Sequence, residues 1–153
     1  MGRTAQDTPT FEARVERLIN ASPEAVFDAF TSEAAQAEWF ASPEDRLVSL
    51  VVDARVGGAW NAVIDHAGQQ VSWEGTFTDV DRPHRFTADL MNIWPEERFA
   101  STFTVTCEDR GTQTLLTVVE VHASERHRDD ALGGVPGMID VIQRIAEAEM
   151  ASR

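Results

Sequence analysis

Lysine and tyrosine are absent from these 153 residues, and cysteine occurs once. A lone Cys107 cannot close an internal disulfide, which suits a reducing compartment and sets the expectation of a cytoplasmic protein. It falls in a strand-like run, where a cysteine acts as a small core hydrophobe rather than a nucleophile. No apolar run approaches the roughly 20 residues that cross a bilayer. The N-terminal stretch MGRTAQDTPT is polar and lacks the apolar segment of a signal peptide. Residues 1–10 therefore read as a frayed or disordered tail, and 11–153 as one domain. Basic residues are scarce: 13, all arginine, against 26 acidic residues, for a net charge of −13. Phosphate binding needs a basic stripe, so nucleic acid is excluded as a partner, and a membrane surface is disfavoured. The arginine-only usage reads as the codon preference of a GC-rich bacterial genome.

Chemical motifs are equally sparse. His66, His84, His122 and His127 stand at no metal-ligand spacing, and G-x-S-x-G, Walker A, CxxC and G-x-G-x-x-G are all missing. No metal and no cofactor are expected. His84, in a turn, and His127, in a polar segment, are assigned to solvent.

What is present is a clear change of period. Phe11 to Asn20 alternates loosely and runs into "NASPEAVF", where Ser22 can cap, Pro23 fits a first helical turn and Glu24 suits the positive end of the helix dipole. Val26, Phe27 and Phe30 form one apolar face, and Thr31 or Ser32 can cap a second short helix ending at Trp39. From Arg46 the period falls to two. RLVSLVVD, AWNAVIDH, VSWEGTFTDV, RFTADLM, RFASTFTVTC and TLLTVVEV are six strand candidates joined by short turns, which makes them antiparallel neighbours. The C-terminal GGVPGMIDVIQRIAEAEM spaces Met138, Ile142, Ile145 and Ala146 as a helix, with Pro136 expected near its start. The order is strand, two helices, six strands, long helix. A sheet with one apolar face must cover it, and only the last helix is long enough.

This order, with Ser22-Pro23-Glu24-Ala25-Val26-Phe27, Trp39-Phe40, Gly57-Gly58-Ala59-Trp60, Gly75, Asp81-Arg82-Pro83-His84-Arg85-Phe86 and Gly111-Thr112, resembles the START-like (SRPBCC) superfamily. Within it, the chain is similar to the branch of the activator of heat-shock-protein-90 ATPase. The resemblance runs from Phe11 to Ala148 and implies an α+β helix-grip fold: a curved seven-stranded antiparallel sheet around a long C-terminal helix, with two short helices after the first strand. Where the family usually has Gly-Trp just before that helix, this chain has Gly137-Met138.

Alternation puts Trp60, Ala62, Ile64 and His66 on one face, Val71, Trp73, Gly75 and Phe77 on the next, and Phe99, Ser101, Phe103, Val105 and Cys107 on a third. Each could be plain core, yet the aromatic load near one end exceeds what packing one helix requires. The reading is an apolar pocket of about 300–1,000 Å³. Its expected lining is Trp60, His66, Trp73, Phe77, Phe99 and Phe103 against Met138 and Ile142, with Trp39 and Phe40 at the mouth. Trp94 either borders that mouth or packs locally, and Gly75 either leaves room for a ligand or marks a bulge. Glu120 is assigned outward; inward, it would be a candidate acid or ligand anchor. The function that follows is binding of a small hydrophobic or aromatic molecule, with a homodimer allowed. The alternatives are a co-chaperone acting on a heat-shock-protein-90 ATPase, and a metal-free cyclase, aromatase or hydrolase whose catalytic residues the sequence does not name.

Overall fold

The computed structural model describes residues 9–40 and 44–152, so the expected tail over residues 1–10 lies almost wholly outside the described residues. Its elements run β1 (Phe11–Ile19), α1 (Pro23–Thr31), α2 (Glu33–Trp39), β2 (Asp45–Val52), β3 (Ala59–His66), β4 (Gln69–Asp81), β5 (Arg85–Ile93), β6 (Arg98–Arg110), β7 (Gln113–His122) and α3 (Glu125–Ala151). The strands form one antiparallel sheet in the order β1-β7-β6-β5-β4-β3-β2. Short turns make β2 to β7 a meander, and the two helices after β1 free that strand to cross and pair with β7.

The helix starts follow local chemistry. Ser22 accepts from the Ala25 amide and Ser32 from the Ala35 amide, so each hydroxyl satisfies an amide that has no partner within the helix. Register shifts at Leu47/Ser49 in β2 and Phe77/Asp79 in β4 insert an extra residue and bend the sheet. Its concave face meets α1 and α3, where Phe27, Phe30, Phe77, Phe86, Leu116, Ile139 and Ile142 are fully buried. Arg17 on β1 pairs with Asp140 of α3, and Arg82 in the β4–β5 turn grips Asp28 of α1 through two hydrogen bonds of 3.1 and 2.8 Å.

One boundary differs from the sequence reading. Helix α3 begins at Glu125, eleven residues before Pro136, which lies inside it. Ser124 caps the start by accepting from the His127 amide at 3.1 Å. Gly137 and Met138 accordingly sit within the helix rather than ahead of it.

Candidate functional site

The aromatic side chains gather where sheet, α2 and α3 meet. Trp60 of β3 stands at the centre, stacked on Phe77 at 5.6 Å and edge-on to Phe103, Trp73 and Trp39 at 5.6, 6.3 and 6.3 Å. Phe40 follows α2 and lies 5.5 Å from Trp73. A fully buried amide locks this group: Gln36 of α2 donates to the Phe30 carbonyl at 2.7 Å and accepts from Trp60 Nε1 at 2.9 Å. It thereby satisfies a carbonyl at the end of α1 and holds the indole beneath α2. Gln36 was missed from sequence because a glutamine in a short helix carries no apolar signal. Trp39 Nε1 donates to the Ala29 carbonyl at 3.3 Å, so the ring at the end of α2 is pinned as well as exposed to the pocket.

Beside these rings lies a pocket of about 310 Å³, bounded by Trp39, Phe40, Trp60, Trp73 and Phe103 on its aromatic side. Leu90, Met138, Val141 and Gly137 close the aliphatic side, and Asp45, Asn92 and Glu120 supply the polar groups. A Cβ built on Gly137 would meet nothing within 4 Å, so that glycine leaves the helix flank of the pocket open.

Of the ten residues expected around the pocket, Trp39, Phe40, Trp60, Trp73, Phe103 and Met138 border it. Phe77 and Ile142, at 1% and 0% exposure, are core instead, because α1 and the middle of α3 fill that end of the sheet. Phe99 is covered by His127, which stacks on it at 3.6 Å and 11°. The expectation that His127 is solvated is therefore corrected: capping Ser124 and Glu97 hold its two ring nitrogens, at 2.8 and 3.0 Å. Arg126 also reaches Glu97 and, chiefly through that hydrogen bond, holds its carboxyl below the usual range.

His66 lies outside the pocket wall, behind Asp45, with its side chain 40% exposed. Its Nδ1 contacts Asp45 Oδ1, and that hydrogen bond raises the His66 pKa. Trp94 stands edge-on to the same imidazole at 6.2 Å and does not line the pocket. Glu120 turns inward, contrary to its assignment. It lines the pocket, with only 17% of the side chain exposed, and its Oε1 lies 3.0 Å from Nε2 of buried His122. Both parities of β7 are apolar, and pairing with β1 and β6 decides which one faces the helix. Gly75 pairs regularly with Trp60 and Leu90, and the β4 bulge falls two residues later. A Cβ at Gly75 would meet Leu90 Cδ2 at 2.5 Å, so the glycine makes room for a pocket-lining leucine.

Cys107 is buried, and desolvation pushes its thiol up to about 12, which leaves it unreactive. Among the described residues no three His, Cys, Asp or Glu side chains converge as a metal site, and no helix is long and apolar enough to cross a membrane.

A curled antiparallel sheet gripping one long helix, with two short helices over the mouth of the space between them, defines the START-like helix-grip class. Within it, the chain belongs to the family described as Activator of Hsp90 ATPase homolog 1-like protein, whose model matches residues 20–148. Solved structures share the fold at low identity. A protein from Chromobacterium violaceum superposes with a TM-score of 0.78 at 21% identity, over 89% of this chain and 96% of its own. One from Rhizobium leguminosarum gives 0.75 at 23%, over 92% and 96%. One from Nitrosomonas europaea gives 0.75 at 18%, over 90% and 95%. Among curated proteins, no match is found.

Proposed function

We propose that this chain is a cytoplasmic binding protein for a small hydrophobic or aromatic molecule, held between sheet and α3 beneath Trp39 and Phe40. The observation that carries the reading is the pocket of about 310 Å³ walled by three tryptophans and two phenylalanines, with few polar groups. Apolar concavities of that composition are the usual form of small-molecule sites. Packing of a core alone gives no reason for Trp39 and Phe40 to border open space.

An environment-sensitive naphthalene dye tests this. Binding is expected to enhance dye emission and quench tryptophan fluorescence, with one site per chain by calorimetry. Trp39→Ala is expected to weaken dye binding at least tenfold while lowering Tm by only a few degrees. Unchanged affinity with a large loss of Tm would make Trp39 a structural anchor, and absence of any dye binding would end the reading.

The family's description favours a second reading, stimulation of a heat-shock-protein-90 ATPase. A raised ATPase rate of that chaperone at micromolar concentrations of this protein would support it; an unchanged rate would remove it.

A further inference from the structure

The polar part of the pocket is one-sided. Its lining side chains offer Asp45, Asn92 and Glu120, and include no arginine or histidine. Asn92 donates from Nδ2 to the Phe99 carbonyl at 3.1 Å and to Ser101 Oγ at 2.9 Å, which uses both amide hydrogens and leaves Oδ1 as its remaining polar atom. Glu120 engages His122 through Oε1, and its Oε2 has no partner among the described residues. Of the three indole donors, Trp39 is engaged by Ala29 and Trp60 by Gln36, while Trp73 Nε1 has no partner among the described residues and is closed off from solvent. What remains facing the space is oxygen acceptors and aromatic rings. Both features attract a positively charged donor, the acceptors through charge-assisted hydrogen bonds and the rings through their negative faces.

Resting on the binding reading above, we infer that the pocket selects a hydrophobic amine: a compact apolar or aromatic body bearing a protonated nitrogen that Glu120 and Asn92 receive. An anionic ligand of the same shape would meet acceptors only, in a chain whose net charge is already −13. A neutral ligand would leave the Glu120 carboxylate desolvated against its apolar body.

Three probes of one shape decide the matter: 1-naphthylmethylamine, 1-naphthalenemethanol and 1-naphthoate, titrated by tryptophan quenching and calorimetry at neutral pH and physiological salt. The amine is expected to bind at least tenfold tighter than the alcohol and a hundredfold tighter than the carboxylate. Glu120→Gln is expected to bring amine and alcohol within about threefold of each other, the amine losing affinity with its carboxylate partner and the alcohol no longer desolvating a charge. Should Glu120→Gln not fold, as judged by near-ultraviolet circular dichroism, Asn92→Leu replaces it and is expected to reduce the amine preference at least threefold. Equal binding of all three probes, or tighter binding of the carboxylate, overturns the inference and leaves the pocket reading intact. So does an amine preference that survives both variants, because it would then stem from overall charge. Failure of all three probes and of the dye would instead overturn the pocket reading.

Discussion

Gln36 has no solvent exposure, yet both ends of its amide are satisfied, by the Phe30 carbonyl and Trp60 Nε1. Replacing it with leucine preserves volume but strands a donor and an acceptor in the interior. Gln36→Leu should therefore lower the free energy of unfolding by about 1–3 kcal/mol, measured by urea titration, with a changed tryptophan emission because Trp60 loses its partner. His66 carries a prediction of pH dependence. Its folded pKa is raised above the unfolded value by the Asp45 hydrogen bond. The pair's contribution is thus fully present below the unfolded histidine pKa of about 6.5, and is lost as pH rises through the higher folded value. With the imidazole substantially exposed, the effect on global stability is small. An NMR titration should place the His66 midpoint above 6.5, and Asp45→Asn should lower it. A midpoint insensitive to that change would refute the assignment. Neither role was legible in the chain: a buried glutamine looks like any helical surface residue, and the Asp45 to His66 pairing needs two strands brought side by side.

At the scale of the element, α3 is a helix weakened where it meets the pocket. Gly133, Gly134, Pro136 and Gly137 fall within five residues of one another inside its 27. Each glycine disfavours a helix by about 1 kcal/mol relative to alanine, and a proline by about 3. This cluster, following the polar run ERHRDD, is why the sequence reading placed the start of α3 near Pro136; the Ser124 cap and the contact of His127 with Phe99 extend the helix across it. An added methyl would find open space at both Gly133 and Gly137, but only Gly137 lines the pocket. Gly133→Ala and Gly137→Ala should each stabilise the fold by about 0.5–1 kcal/mol. Only Gly137→Ala should weaken dye binding, by severalfold. Equal effects of the two on dye binding would show that the pocket flank at Gly137 is not where the ligand sits. The strands were far more legible than the helix, because period-two alternation is a property of each strand and survives ignorance of its neighbours.

For the whole molecule, the decisive seam is β1 against β7, where Phe11 lies opposite His122 and Ile19 opposite Thr114. Joining segments about a hundred residues apart carries a loop-closure penalty that only the finished core offsets. That closure turns Glu120 and His122 inward together and hands Arg17 to Asp140. It also separates two ends of one sheet face. At one end α1 packs Phe27 edge-on against Phe86, which in turn meets Phe77, and the core is solid. At the other, a two-turn helix and the glycine-rich stretch of α3 leave space beside Trp60 and Trp73. The sequence by itself determined the element order, the Ser22 cap, the inward parity of Trp60, Trp73 and Phe103, and the aromatic excess, since these depend on spacing along the chain. Only tertiary structure decided that Phe77 and Ile142 are core while Leu90, Asn92 and Glu120 face the pocket. Residues of one parity share a face, but whether a helix or open space lies above each is set by where distant elements come to rest.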